Sequence, residues 1–267
     1  MGPGADKENA NFMTRYHLPV TASAFALYLL LSATAAFCQD QPGAPSLAAQ
    51  VVDPTAPLKN YLFQNRYSPS IWGLDDRQNE VTMQAAVPHQ LFSMPNIFRV
   101  SVPYMTSVPS GERGLSEVQI VDIVIYPRSW GNLALGGTAS LGPNKGPGVN
   151  TFAMGPAIAA VLKKNKWTYG VFNQNFFSFG DIAQSNLQPI LAYTLNDKVS
   201  FAIGDAQFTM DWNKGRIVNV PISGQVNYIT RLKTQPLRLF VNSQYNAVNE
   251  PGSRKWILTF GIAFIVK

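Results

Sequence analysis

The residues that come nearest to a catalytic pair are His89 and Ser93, within "VPHQLFSMP" (87–95). A hydrolase would need a serine nucleophile activated by a histidine base. Here both lie in a turn-like segment between prolines, where a solvated turn histidine is the simpler reading. The glycine-rich stretch "GPNKGPG" (142–148) lacks the Gly-Lys-Ser/Thr ending of a phosphate-cradling loop and reads as a turn. Asp205 and Asp211 could hold a cation between them, but solvated loop carboxylates are the ordinary reading. "KKNK" (163–166) is a charged tight turn, with contact to anionic lipid or sugar as the alternative. Once the leader described below is removed, His89 is the last histidine, and Cys38 is the chain's single cysteine. The sequence therefore offers no His/Cys metal set, no disulfide and no cofactor motif. It does not read as an enzyme.

The informative constellation is polar but uncharged for the most part. Asn219, Ser223, Gln225 and Asn227 share one parity, broken only at Pro221, and Arg238, Asn242, Gln244 and Asn246 share another, broken only at Phe240. Between them stand Val218, Val220, Ile222, Val226 and Tyr228, and Leu237, Leu239, Val241 and Tyr245, with Phe240 the exception. Arg99 falls likewise between Phe98 and Val100. Alternate side chains on a strand point to opposite faces, so each stretch presents one amide-rich face and one apolar face. A lumen or binding surface built from Arg99, Asn219, Ser223, Gln225, Asn227, Arg238, Asn242, Gln244 and Asn246 would select by size and hydrogen bonding more than by charge. These groups could equally bond one another and fill a narrow interior.

The elements that must position them are strands throughout. Period-two patterns between turn signals give about twelve: 61–69, 79–87, 97–106, 116–126, 131–141, 149–162, 166–178, 185–195, 199–210, 215–228, 236–246 and 255–266. Most approach the roughly 9–11 residues that a tilted membrane strand needs. The last, in "RKWILTFGIAFIVK" (254–267), places Trp256, Leu258, Phe260, Ile262 and Phe264 on one bulky face, which a membrane barrel would turn to lipid. A soluble sandwich would show the same alternation. Prolines 103, 156, 189 and 221 fall inside the expected strands, each removing a ladder donor. The link "PHQLFSMPN" (88–96) is too long for the short-turn end of a barrel.

Composition favours the membrane reading. Of 267 residues, 46% are hydrophobic and only 13% charged, about half the usual charged share of a soluble domain. Arg15 precedes an uncharged apolar run from Leu18 to Phe37, ending in small residues: the order of a secretory signal. Cleavage is expected after Cys38, leaving Gln39 as the mature N-terminus. Residues 39–60, rich in Pro, Ala and Gln, read as a flexible arm, with a plug or short helix at 46–52 as the alternative. The formal charge of +6 belongs wholly to the mature part, which suits contact with anionic lipid or lipopolysaccharide.

At "FQNRYSPSIWG" (63–73), "NIFRVSVPYMTSVPSGERGLSEV" (96–118), "MGPAIAAVLKKNKWTYGVFNQNFFSF" (154–179) and "SNLQPILAYTL" (185–195) the chain resembles a family of bacterial outer-membrane transporter-like barrels. The family is named after the meta-pathway of phenol degradation, and some members carry a neuromedin-U-like label. The resemblance covers about Phe63 to Lys267. It departs from the pattern at "GLSE" (114–117), where Gly-Asp before the acidic residue is expected, and at Lys267 in place of a terminal aromatic. It implies an outer-membrane barrel passing small solutes, hydrophobic ones among them, and carries over no catalytic or ligand residue.

The expected organisation is all-β. A signal peptide (1–38) and a flexible arm (39–60) precede an antiparallel transmembrane β-barrel of about twelve strands (61–267). The expected function is a passive pore or transporter in the outer membrane. Its partners would be outer-membrane lipid and lipopolysaccharide, the barrel assembly machinery and a small solute, with no nucleic acid. A non-transporting structural or adhesive barrel and a soluble periplasmic or secreted β-sandwich binding protein are the competing classes. Dependence on detergent separates the last from the others.

Overall fold

The computed structural model describes residues 46–91, 93–142, 152–178 and 182–266. The leader, residues 39–45, Lys267 and all of "GPNKGPG" but its first residue lie outside them.

The strands are β1 (Lys59–Ile71), β2 (Gln78–Leu91), β3 (Met94–Ser107), β4 (Gly114–Leu115), β5 (Val118–Arg128), β6 (Gly131–Leu141), β7 (Phe152–Lys164) and β8 (Trp167–Phe177). They continue with β9 (Ala183–Thr194), β10 (Val199–Ala202), β11 (Phe208–Asp211), β12 (Arg216–Asn219), β13 (Pro221–Leu232), β14 (Gln235–Asn246) and β15 (Arg254–Val266). Neighbours in sequence pair antiparallel, and β15 closes on β1 from Lys59↔Val266 to Ile71↔Arg254. β10 and β11 together make one stave between β9 and the β12–β13 stave, and the two-residue β4 lies beside β3. The result is a closed twelve-stave antiparallel barrel, which leaves no unpaired sheet edge.

The wall is polar within and apolar without. On β15, Ile257, Thr259, Ala263 and Ile265 are buried inward, whereas Trp256 and Phe260 are exposed on the outer face. Phe63, Met83, Leu135, Met154, Val226 and Val241 are exposed on other staves, an arrangement that water would not tolerate but lipid requires. Aromatic pairs mark both ends. The rings of Trp167 and Tyr193 meet at a tilt, centroids 4.9 Å apart, near the short-turn end, and those of Tyr245 and Trp256 do the same at 4.9 Å near the other. That is where interfacial girdles belong.

Short connections at 92–93, 129–130, 165–166, 195–198 and 233–234 share one end of the barrel. β2 and β3 run on through Pro88↔Ile97 and Gln90↔Pro95, so "PHQLFSMPN" is strand, not the long link expected. Only residues 92 and 93 separate the two, and Ser93 takes the left-handed φ of +63° that such a turn needs.

The prolines sit where a donor is not missed. Pro221 opens β13. Pro103 lies where the β3–β5 ladder has ended at Ser101↔Gln119, and its carbonyl accepts from the Ser116 amide at 2.9 Å. At Pro156 the β7–β8 ladder skips two residues, and the Asn175 side chain donates to the Pro156 carbonyl at 3.1 Å instead. Pro189 faces the neighbouring stave where that stave leaves the wall, between Ala202 and Phe208. Ile203 N–H donates to Leu191 two residues further on, which fixes that direction.

Residues 46–58 are not a free arm. Ser46 caps the short helix α1 (Leu47–Gln50), and Ala48, Asp53, Thr55 and Ala56 are all buried inside the barrel. The composition of the segment is that of a linker, but its small residues also suit a confined lumen.

Candidate pore and its waist

The lumen holds two cavities. The upper, toward the long-loop end, encloses about 310 Å³ and is lined by Gln64, Gln119, Gln207, Asn219, Gln244 and Thr259 among others. Two of its charged side chains, Arg66 and Glu80, are paired. Glu80 accepts from Arg66 at 3.2 Å and from Thr82 at 2.8 Å, and it also pairs with Arg254. The strands carrying Arg254, Arg66 and Glu80 are β15, β1 and β2, so this cluster clasps the seam where the chain's last stave meets its first.

The lower cavity, about 110 Å³, lies toward the short-turn end. Ile97, Val121, Ile123, Phe172, Ile190 and Ile265 form much of its wall, and residues 50–58 much of the rest. The inner segment is anchored at three points. Asp53 makes an ion pair with Lys163 at 2.6 Å and accepts from the Thr55 amide and hydroxyl at 2.8 and 2.6 Å. Asn132 donates to the Thr55 hydroxyl at 2.9 Å, and Arg238 donates to the Val51 carbonyl at 3.1 Å.

The two cavities meet at a shared ring of residues, the waist. Gln84, Arg99, Val121, Gln188, Asp205 and Gln225 line both. The waist exists because the stave of β10 and β11 breaks, and residues 203–207 turn inward. Gly204 makes that possible. Its φ is +67°, and a Cβ there would lie 2.6 Å from the Asn242 amide nitrogen and 2.8 Å from the Gln225 oxygen. Asp205 follows, accepting from Gln188 at 3.1 Å and lying within electrostatic reach of both Arg99 and Arg238. The Arg99 guanidinium rests 5.2 Å from the Phe172 ring centroid, and that of Arg238 4.6 Å from Phe240.

Of the residues singled out in the sequence, Gln225, Asn227, Arg238, Asn242 and Gln244 face the interior, as do Arg99 and Asn219. Asn227 accepts from Gln225 at 2.7 Å and from Arg238 at 2.8 Å, and Asn242 donates to Ser223 at 2.8 Å, so part of the lining bonds to itself. Asn246 is turned to its own strand end, where its side-chain oxygen accepts from the Val220 and Val248 amides at 3.0 and 3.1 Å. Trp256, Leu258, Phe260, Ile262 and Phe264 occupy the outer face of β15.

His89 is engaged by a carboxylate on a nearby strand. Its Nε2 lies 3.0 Å from Asp122 Oδ1 on the outer face. Asp205 and Asp211 do not converge: Asp205 is at the waist, whereas Asp211 accepts from the Lys214 amide at 3.0 Å in an exposed hairpin. In "KKNK", Lys163 turns inward to Asp53, and Lys166 donates to the Leu195 carbonyl at 3.0 Å. At the long-loop end Lys214 donates to Glu250 at 2.9 Å, which holds that carboxyl below its ordinary range. Among the described residues no three His, Cys, Asp or Glu side chains gather as a metal would require.

Sequence reading missed the charged clasp and the waist. The signal for the first was Glu80, a lone carboxylate within a strand of a charge-poor chain. For the second it was Gly204-Asp205, a turn-forming pair inside an apparent strand.

This geometry defines a closed twelve-stave antiparallel β-barrel with an apolar outer face, the architecture with which strands span a membrane. No family model matches the chain, and no curated protein matches its sequence. Solved structures do match. An outer membrane channel from Pseudomonas putida F1 is similar at 13% identity and a TM-score of 0.57, over 85% of this chain and 100% of that one. The KdgM porin is similar at 10% identity and a TM-score of 0.50, over 78% and 99%. At these identities the likeness is one of fold.

Proposed function

We propose that this chain is a passive outer-membrane pore for small solutes, exported by a signal peptide that is cut after Cys38. The observation that carries the reading is a closed barrel, apolar outside, whose polar lumen contains two cavities meeting at a waist. A structural barrel has no need of an internal turn held in place by Gly204. The outer-membrane channel of similar fold supports the same reading, as does the resemblance to the transporter-like family. The pore is narrow, because residues 46–58 occupy much of its lower half. Its charges nearly balance, so size and hydrogen bonding decide what passes.

Liposome swelling tests this directly. Vesicles carrying the refolded protein should swell rapidly in glycerol and slowly or not at all in disaccharides. Equal rates for both, or swelling no faster than in protein-free vesicles, would refute a narrow pore. Intact mass of the exported protein should place the mature N-terminus at Gln39, and a retained apolar run or a lipid on Cys38 would contradict this.

A further inference from the structure

Four glutamines reach the upper cavity from four parts of the barrel. Gln64 comes from β1, Gln119 from β5, Gln244 from β14 and Gln207 from the inward turn of the β10–β11 stave. Among the described residues none of their side-chain amides has a protein hydrogen-bond partner. Their neighbours are committed: Gln84 accepts from Ser101 at 3.0 Å, Gln188 donates to Asp205 at 3.1 Å, and Asn242 donates to Ser223 at 2.8 Å. Each uncommitted amide offers donors and an acceptor to whatever fills the space between them. The charges around that space favour neither sign. Arg66 and Arg99 line it, and so do Glu80, Glu117 and Asp205. Glu80 is taken up by Arg66, Asp205 by Gln188, and Glu117 by the Ser140 hydroxyl. A charged solute therefore meets its own sign as well as the opposite one.

A hydroxyl both donates and accepts, so it matches an amide in either role. An apolar solute would displace water here and leave the amides unbonded, which is costly. The cavity encloses about 310 Å³. About 150 Å³ accepts benzene, so roughly twice that holds a ring with a polar substituent on each carbon. From this juxtaposition we infer that the upper cavity is a transit site for neutral polyhydroxylated solutes of monosaccharide size, an inference that rests on the pore reading. It narrows that reading to a class that excludes hydrophobic compounds. The solute's hydroxyls take the place of water on Gln64, Gln119, Gln207 and Gln244. Exchanging water for hydroxyl gains little at each amide, so the solute is released again, as a conducting site requires.

Saturation-transfer NMR of glucose with the purified full chain, in a detergent without a sugar head group, tests the site without requiring conductance. Glucose should bind weakly but saturably. Cyclohexanol, a ring of similar size with a single hydroxyl, should bind at least about tenfold less well, because it leaves several amides unbonded. Glucuronate and glucosamine, which add a charge of either sign, should bind no more tightly than glucose. Gln119→Leu combined with Gln244→Leu removes two amides and should weaken glucose about tenfold, with cyclohexanol unchanged. The double variant must still migrate as a folded barrel on unboiled gels; the ranking of solutes on the unaltered chain stands whether or not it does. Cyclohexanol binding as well as glucose, tighter binding of either charged sugar, or undiminished glucose binding in the folded double variant would overturn the site. Glucose binding without any bilayer conductance would leave the site standing and remove the pore, and conductance with no saturable glucose signal would do the reverse.

Discussion

Glu80→Gln should lower folding stability by about 3 kcal/mol, more than a hundredfold in the folding equilibrium. Glu80 is 5% exposed at its side chain and faces Arg66 and Arg254, at 33% and 15%. Neutralising it leaves two guanidinium groups facing each other across the closing seam with no counter-charge. Removing one partner of a buried pair costs roughly 3–5 kcal/mol; the part-exposed Arg66 sets the lower end of that range here. The penalty should shrink when Arg66→Met and Arg254→Met are added, because it comes from the uncompensated charge and not from lost attraction. Urea unfolding in lipid vesicles, read by tryptophan fluorescence, measures both. A loss below about 0.5 kcal/mol, the range of an ordinary surface change, would show that the clasp does not hold the seam.

The second large effect separates the two faces of β15. Phe260 is at the middle of the strand, 55% exposed on the outer face, and its neighbour Thr259 is 6% exposed and lines the upper cavity. Arginine at the bilayer midplane of a barrel's outer face costs roughly 2–4 kcal/mol, or about 30- to 700-fold in the folding equilibrium. Phe260→Arg should therefore impair assembly strongly. Thr259→Arg enters a wet cavity beside Arg66 and Glu80, and should cost less while altering conductance. The comparison belongs in bilayers of several thicknesses. If Thr259→Arg is the more damaging in all of them, the outer face does not meet lipid.

Much of the barrel is legible in the sequence because parity along a strand is a strong signal when one face is amide and the other aliphatic. Asn242 and Gln244 against Val241 and Tyr245 leave no ambiguity about the two faces of β14. Phe240 breaks the pattern for a reason that lies outside its own strand. Its ring faces inward, beneath Arg238 and over Gly261, whose missing side chain leaves the room. The waist was hidden likewise, since 199–210 reads as one strand unless Gly204 is weighed against Asn242 and Gln225, far along the chain. Residues 46–58 look like a linker because their partners, Asn132, Lys163 and Arg238, are on distant strands. Pairings over such separations are tertiary facts, and no local pattern encodes them.

Single-channel recording of the refolded full chain in planar bilayers tests the pore most directly. The near balance of lumenal charge and the obstructed lower half predict discrete steps of small conductance with weak preference between potassium and chloride. Protein that is folded by gel shift and inserted in the membrane, yet gives no steps across the accessible voltages, would contradict a pore.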